Sequence, residues 1–289
     1  MCASDAADGP LEASILVIGD EILGGFVQDT NSGWLASRLV SHGVDLSQIV
    51  VVPDDVAAID EALQRELSRP RPRIVFTTGG IGSTPDDVTY EAVARSLGRD
   101  LEVAPELARR IDGALAWTRA QGLEVDDEFA DHMMRMARIP AGGCLLRRDG
   151  SWAPGVRVDV EGGIDATGGA SIVILPGVPS QLRAIVTSVV EPEMLAGRGR
   201  SQAVAEVTHG FPESALNRCF ARLAERYPDV QVGSYPGVPM LVRLRGEPDR
   251  VATARADVEE FLRQLEAEPG GARLRQAWAR RLAGDEERP

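Results

Sequence analysis

Short apolar runs alternate with amphipathic segments three times in the first hundred residues, and this alternation constrains the fold more than any other feature. The runs at 14–18, 49–52 and 74–78 are each followed by a segment with apolar residues at helical spacing. Buried parallel strands have such continuous apolar runs, and right-handed helical crossovers connect them. The pattern predicts an α/β fold with a doubly wound, three-layer parallel sheet.

The element order changes after a stretch rich in glycine and arginine at 197–200. Before it, residues 105–138 are predicted to be helical with a break at Gly122, and 178–194 is predicted to be one helix. After it, the pattern is β-α-β-β-α, which is typical of a small α+β domain. We predict an α/β domain at 12–196, a small α+β domain at 200–268 and a C-terminal tail at 269–289.

Composition argues against several classes of protein. The net charge of -13 argues against sequence-independent nucleic-acid binding. All 31 basic residues are arginine, so a Walker A lysine and a Schiff-base lysine are excluded. The 3 cysteines are scattered, which argues against a disulfide framework or a cysteine zinc site. With no long apolar run and no signal-peptide pattern, we expect a cytoplasmic protein that binds neither nucleic acid nor membranes.

Acidic residues follow each of the three predicted strands. Asp20 and Glu21 follow the first, Asp54 the second, and Asp86 and Asp87 the third, about one βα unit apart. Ligands of open parallel sheets bind outside the carboxyl ends of the strands, so these side chains are expected on one rim. Crowded carboxylates need a cation, and Mg²⁺ or a similar hard cation takes oxygen ligands and bridges to phosphate.

A glycine-rich turn follows the third strand. Gly79, Gly80 and Gly82 would let a backbone approach a ligand closely, as phosphate-binding loops do. Thr84 followed by Pro85 has the pattern of a helix start, which would add free N–H groups for a diphosphate. The alternative is structural, since aspartates often cap helices and glycines often only form turns.

Two further segments have the same two interpretations. Asn31 stands at a predicted helix start, where it either caps the helix or contacts substrate. Pro176, Gly177 and Pro179 form a rigid turn after another predicted strand, where they either connect two elements or line the same cleft.

Six ordered motifs resemble the CinA-type (competence/damage-inducible protein A) branch of the molybdopterin-binding MoaB/Mog fold. They are Gly19-Asp20-Glu21-Ile22-Leu23, Asp29-Thr30-Asn31, Thr77-Thr78-Gly79-Gly80-Ile81-Gly82, Asp86-Asp87-Val88-Thr89, Ala153-Pro154-Gly155 and Leu175-Pro176-Gly177-Val178-Pro179. The resemblance covers residues 14–195, and residues 200–265 resemble the small domain that follows in this branch. No nicotinamide-nucleotide deamidase domain, which full CinA proteins carry, is expected in these 289 residues.

The resemblance implies a pterin or nucleotide diphosphate substrate, a divalent metal such as Mg²⁺ and a homo-oligomer. Asp54 and Asp87 match the two central aspartates of molybdopterin adenylyltransferases, which makes them the candidate catalytic and metal-binding residues. The candidate substrate-binding residues are Asp20, Glu21, Asn31, Gly79, Gly80, Gly82, Ser83, Thr84, Asp86, Pro176, Gly177 and Pro179. In the CinA branch this cleft is linked to hydrolysis of ADP-ribose-like pyrophosphates, and in animal FAD synthases to hydrolysis of FAD.

Three functional hypotheses follow from the motifs. The first is a metal-dependent pyrophosphatase that acts on ADP-ribose or a similar dinucleotide such as FAD. The second is a molybdopterin adenylyltransferase of molybdenum cofactor biosynthesis. The third is a binding module without turnover, because Ser180-Gln181 stands where the branch usually has an acidic residue. A second departure is Ser83, which stands where the branch usually has proline.

Overall fold

A computed structural model of the chain describes residues 10–146, 154–166, 168–237 and 239–286, with 282–286 described by their backbone alone. Ala153 of the fifth motif lies outside these residues. The chain divides into two compact units, Met1–Gly199 and Arg200–Pro289. No helix in the described ranges is both long and apolar enough to cross a bilayer.

The described strands of the first unit are β1 (Glu12–Ile18), β2 (Asp45–Val52), β3 (Arg73–Thr78), β4 (Leu101–Val103), β5 (Arg138–Pro140), β6 (Cys144–Leu146), β7 (Gly155–Val160) and β8 (Ala170–Leu175). Its described helices are α1 (Asp20–Leu23), α2 (Asn31–Ser41), α3 (Val56–Leu67), α4 (Thr89–Ser96), α5 (Pro105–Ala120), α6 (Asp127–Arg135) and α7 (Pro179–Ile185). A π-helical segment, Val186–Leu195, continues α7.

The central sheet has the strand order β2-β1-β3-β8-β7-β6. Its first four strands are parallel, as the alternating pattern predicts. The expectation of a wholly parallel sheet is wrong for β7 and β6, which run antiparallel. Residues 161–169, between β7 and β8, are too few for a parallel crossover, which needs about a dozen residues or more.

Helices cover both faces of the sheet, and β1 shows why. Leu16 and Ile18 pack into one hydrophobic core with residues of α3, α4 and α5, whereas Ile15 and Val17 pack into another with residues of α2 and α7. Successive side chains of a strand point to opposite faces, so a strand buried on both faces is apolar throughout. The three-layer α/β prediction is confirmed.

The amino ends of the central strands carry a buried ion cluster. Arg73, at the start of β3, is 1% exposed. Its Nη2 lies 2.6 Å from Oε2 of Glu12, and its Nη1 lies 3.4 Å from Oε2 of Glu66. Glu66 is itself 2% exposed, so its charge is balanced inside the protein. This edge of the sheet is therefore built for stability.

The two helices predicted within 105–138, with a break at Gly122, are confirmed as α5 and α6, and only Arg138 belongs to β5. The pairing of β5 with β4 was not predicted, because three-residue strands are too short to show a periodicity. The helix predicted at 178–194 is α only as far as Ile185 and then becomes π-helical. Pro192 lies in that segment and cannot donate a backbone hydrogen bond, which disfavours a regular α-helix.

The described elements of the second unit are β9 (Ala203–His209), α8 (Asn217–Arg226), β10 (Gln231–Tyr235), β11 (Met240–Gly246), α9 (Pro248–Ala267) and α10 (Gly271–Glu286). The strands form an antiparallel sheet in the order β10-β11-β9. Apolar residues of α8 and α9 pack on one face of this sheet, as the β-α-β-β-α pattern predicts. The predicted tail is largely helix α10.

Candidate functional site

A cleft of about 100 Å³ lies at the carboxyl ends of β1, β3 and β8. Its lining residues are Val17, Ile18, Glu21, Ile22, Val27, Gln28, Asp29, Thr30, Asn31, Thr78, Gly79, Gly177 and Pro179. The chain goes from β1 to β2 on one side and returns to β3 on the other, so the strand order reverses between β1 and β3. Ligands of open α/β sheets bind at such a reversal.

Four acidic side chains meet at this rim: Asp20, Glu21, Asp54 and Asp86, which we call the rim carboxylates. Oδ2 of Asp54 accepts a hydrogen bond from the backbone N–H of Asp20 at 2.8 Å. Burial raises the pKa of Asp54, the Asp20 hydrogen bond lowers it, and the charges of Glu21, Asp20 and Asp86 raise it further. Within the described ranges, no rim carboxylate is in a salt bridge with a basic side chain. The negative charge at this rim is therefore unbalanced.

Neighbouring aspartates have a structural role. Oδ1 of Asp55 accepts a hydrogen bond from the N–H of Ala58 at 2.8 Å and so caps α3. Oδ1 of Asp29 accepts from the N–H groups of Asn31 and Ser32, at 2.9 and 3.1 Å. The structural interpretation is correct for these two carboxylates, which satisfy the free N–H groups of a helix start.

The glycine loop (residues 79–82) follows β3 and is held close to β1. Gly79 has a φ of 99° and Gly80 a φ of 63°, which L side chains rarely adopt. A methyl group added to Gly79 would overlap the carbonyl oxygen of Ile18. One added to Gly80 would meet Oγ1 of Thr89 and lie 3.3 Å from Oδ1 of Asp54. Glycine is thus required where the loop lies against β1 and Asp54.

Thr89 is a residue of this site that the sequence analysis did not select. It is fully buried at the first position of α4, and its hydroxyl donates to the carbonyl oxygen of Gly79 at 2.9 Å. Its N–H also donates to the carbonyl oxygen of Gly80 at 3.0 Å. A threonine ten residues after a glycine gives no local pattern, so only the fold connects them.

The predicted helix start at Thr84 is wrong, because α4 begins at Thr89 and residues 84–87 form a turn. Oδ2 of Asp87 accepts from the N–H of Thr84 at 2.9 Å and from its hydroxyl at 2.5 Å, and the N–H of Asp87 donates to the carbonyl oxygen of Thr84. Asp87 stabilises this turn across its two ends. The same oxygen would lie 2.6 Å from a methyl group added at Gly82.

The amide of Asn31 has a defined orientation in the cleft. Its Nδ2 donates to the carbonyl oxygen of Gly177 at 2.7 Å, and this bond fixes the amide because a carbonyl can only accept. Oδ1 of Asn31 therefore points away from Gly177, and it is buried without a hydrogen-bond partner in the described structure. A buried acceptor that lines a cleft calls for a ligand donor.

The predicted residues divide by position. Glu21, Asn31, Gly79, Gly177 and Pro179 line the cleft. The others do not line it: Asp20, Asp54, Gly80, Gly82, Ser83, Thr84, Asp86, Asp87 and Pro176. Of these, the acids and the glycine-loop residues lie at the same strand ends, and Pro176 is buried behind the turn that carries Gly177.

The described residues contain no group of three or more His, Cys, Asp or Glu side chains that could hold a metal ion. The predicted pair of Asp54 and Asp87 is therefore not part of a preformed metal cage. Mg²⁺ often binds through only one or two carboxylates, together with water and substrate phosphates. Asp54, crowded by other carboxylates, fits that mode of binding, and Asp87 already uses one oxygen within its turn.

A family model described as a probable molybdopterin binding domain matches residues 14–196. A protein of Aeropyrum pernix is 34% identical over 264 residues, covering 88% of this chain and 91% of that protein. A CinA-like protein of Mycobacterium sp. strain JLS is 34% identical over 259 residues, covering 88% of this chain and 58% of that protein. The crystal structure of CinA from Thermoplasma acidophilum, a protein described as having unknown function, matches with a TM-score of 0.52 and 28% identity. This match covers 63% of this chain and 96% of that chain.

Proposed function

Because this chain belongs to the molybdopterin-binding domain family, with CinA-like relatives, we propose that it is a metal-dependent pyrophosphatase. Its substrate is ADP-ribose or a similar dinucleotide such as FAD. The observation that carries the proposal is the unbalanced charge of the rim carboxylates beside the glycine loop. Carboxylates without a cation and a backbone that admits phosphate are complementary parts of a metal–diphosphate site.

Asp54 would hold the divalent cation together with the diphosphate oxygens, and Asp87 would keep the turn after the glycine loop in place. When bound, such a cation supplies charge neutralisation on the diphosphate. The close packing of Gly79 and Gly80 against β1 and Asp54 places the loop backbone beside the rim carboxylates, where it would approach the diphosphate. Orienting the diphosphate beside the rim carboxylates is this chain's own contribution to catalysis.

The remainder of the substrate would lie in the cleft between α2 and the turn before α7. Oδ1 of Asn31 accepts a hydrogen bond from a ribose hydroxyl or from an N–H of the base, which satisfies the buried oxygen. Glu21 lines the same cleft and offers further acceptor oxygens. The cleft therefore favours ligands that present donors.

Release of AMP from ADP-ribose or FAD, measured by chromatography with Mg²⁺, Mn²⁺ or Co²⁺, tests the proposal. Wild type should release AMP only with a metal, and Asp54→Asn should lose most of the activity. Asp87→Asn should also be impaired, because a neutral amide oxygen accepts the two hydrogen bonds from Thr84 more weakly than the carboxylate does. Equal AMP release by Asp87→Asn and wild type would remove Asp87 from the site.

Two other outcomes would replace the proposal with one of its alternatives. ATP-dependent transfer of AMP to molybdopterin without hydrolysis would make the protein an adenylyltransferase. Tight binding of ADP-ribose by calorimetry, without turnover under any of the three metals, would make it a binding module.

A further inference from the structure

An arginine and a tryptophan stack beside the candidate site. The guanidinium carbon of Arg183, in α7, lies 5.6 Å from the ring centroid of Trp34, in α2. A guanidinium stacked on an indole face is held by cation–π attraction, and its N–H groups remain at the edge of the stack. The stack thus favours one orientation of Arg183 and leaves its donors available.

Both helices begin at the cleft. Asn31 opens α2 and Pro179 opens α7, and both residues line the cleft. Trp34 and Arg183 follow three and four residues later, about one helical turn on. Side chains of a helix lean toward its amino end, so both side chains lean toward the cleft. The hydrogen bond between Asn31 and Gly177 holds the two helix starts together.

The charge of Arg183 differs from that of its surroundings. In the described parts of the chain, its side chain has no carboxylate partner, whereas many other arginines are in salt bridges. The nearby rim carboxylates repel an anionic ligand. Arg183 is a cation about one helical turn from the cleft-lining Pro179, so it can offset that repulsion, and it has the fork geometry that suits phosphate oxygens.

We propose that Arg183, held by Trp34, binds phosphate oxygens of the ligand at the mouth of the cleft. The inference rests on the proposed function in one respect, namely that the ligand is a diphosphate. Arg183 is a substrate-binding residue in this proposal, and Trp34 is a positioning residue that acts through it.

Calorimetric binding of ADP-ribose and inorganic pyrophosphate with Mg²⁺, combined with KM and kcat for ADP-ribose hydrolysis, tests the proposal. Arg183→Ala should weaken binding of both probes about 10- to 100-fold, the size of a lost charge-assisted hydrogen bond. KM should rise while kcat changes little. Arg183→Lys should recover part of the affinity, since it keeps the charge but loses the fork. Trp34→Leu should have a smaller effect with the same KM pattern.

Arg119→Ala is the matched control, because Arg119 is an exposed arginine of α5 and the variant loses the same charge. If Arg183→Ala binds both probes within twofold of Arg119→Ala, the inference is wrong, whether or not wild type is active. If binding depends on Arg183 but wild type does not cleave ADP-ribose, the inference stands and the hydrolase proposal fails. If wild type binds neither probe, both are overturned.

Discussion

The two edges of the central sheet differ in how their charged side chains are paired. At the amino ends of the strands, Arg73 lies between Glu12 and Glu66, and Arg69 lies 3.0 Å from Glu66, so two positive charges balance two negative ones. At the carboxyl ends, Asp54 is crowded by other acids, and its pKa is raised by burial and by their charges. Removing one partner of a balanced buried cluster destabilises the fold, whereas crowded carboxylates without basic partners are typical of functional sites. Charge balance therefore distinguishes the structural edge from the candidate site.

Cavity volume does not identify the candidate site. A groove of about 600 Å³ in the second unit is lined by residues of α8 and α9, among them Cys219 and Asp257. Asp257 accepts hydrogen bonds from Arg226 and Tyr227, both at 2.8 Å. Burial raises the pKa of Cys219 to about 11, so this thiol is not a nucleophile at neutral pH. The smaller cleft is the one that lies beside the rim carboxylates and the glycine loop.

Arg73→Ala should give the largest effect on stability. Removing this arginine takes away one of the two ion-pair partners of the buried Glu66 and leaves only Arg69, so the free energy of unfolding should fall by about 3 kcal/mol. Thermal unfolding monitored by circular dichroism measures the loss. At a temperature where the variant is still folded, ADP-ribose hydrolysis should match that of wild type. A selective loss of activity would mean that the two edges are not independent.

Asp54→Asn should show the opposite pattern. Hydrolysis should fall by about 100-fold or more, because the cation loses its main protein ligand. The melting temperature should stay the same or rise, since the new side-chain amide can still accept from the N–H of Asp20 and the repulsion is gone. The matched control is Glu66→Gln at the other edge, which should lower the melting temperature and leave kcat unchanged.

Gly79→Ala tests how tightly the glycine loop is held. The added methyl group overlaps the carbonyl oxygen of Ile18, and alanine disfavours the φ of this position. The free energy of unfolding should therefore fall by about 2 kcal/mol. Ligand binding should be lost with it. Gly33→Ala is the control, because no atom lies within 4 Å of the added methyl group in α2. It should stabilise the protein by about 0.5–1 kcal/mol.

The pH dependence of stability should give the smallest effect. The pKa of Asp54 is raised in the folded protein, so its contribution to stability is fully present below pH 3.8 and is lost as pH rises through the raised value. At neutral pH, Asp54→Asn should therefore be more stable than wild type, by roughly 0.5 kcal/mol after allowance for solvent. Urea unfolding between pH 3 and 7 should show this advantage shrinking as pH falls. If the extra stability of Asp54→Asn over wild type grew toward acid pH, the direction of the pKa shift of Asp54 would be wrong.

The contribution of Glu191 to stability should depend on pH in the opposite direction, which provides an internal reference. A hydrogen bond from Arg38, at 2.6 Å, lowers the pKa of Glu191 below 4.5. Its contribution to stability is present above pH 4.5 and is lost as pH falls through the lowered value. In the same urea series, the loss of stability of Glu191→Gln relative to wild type should be largest at neutral pH.

The sequence predicts the sheet well because buried strands and amphipathic helices leave periodic patterns over several residues. The direction of β7 shows the limit, since a strand that is buried on both faces is apolar throughout whether its neighbour is parallel or antiparallel. The start of α4 shows another, because Thr84 and Pro85 favour a helix start as much as a turn.

The candidate site was predictable in position but not in detail. Asp54 and Gly79 follow apolar runs, so the carboxyl edge of the sheet could be identified from the sequence. The contact between Thr89 and Gly79 depends on how a loop folds back on itself. Arg183 and Trp34 are separated by about half the chain, and only the packing of α7 beside α2 brings them together.

The fixed amide of Asn31 has a consequence for how this protein can change. Aspartate has nearly the same size and shape, yet at this position it would set two acceptors face to face, its own oxygen and that of Gly177. One missing proton donor would thus push two helix starts apart, although the volume is unchanged. Residue 31 must therefore present a hydrogen-bond donor to Gly177, and a substitution table based on shape alone would miss this requirement.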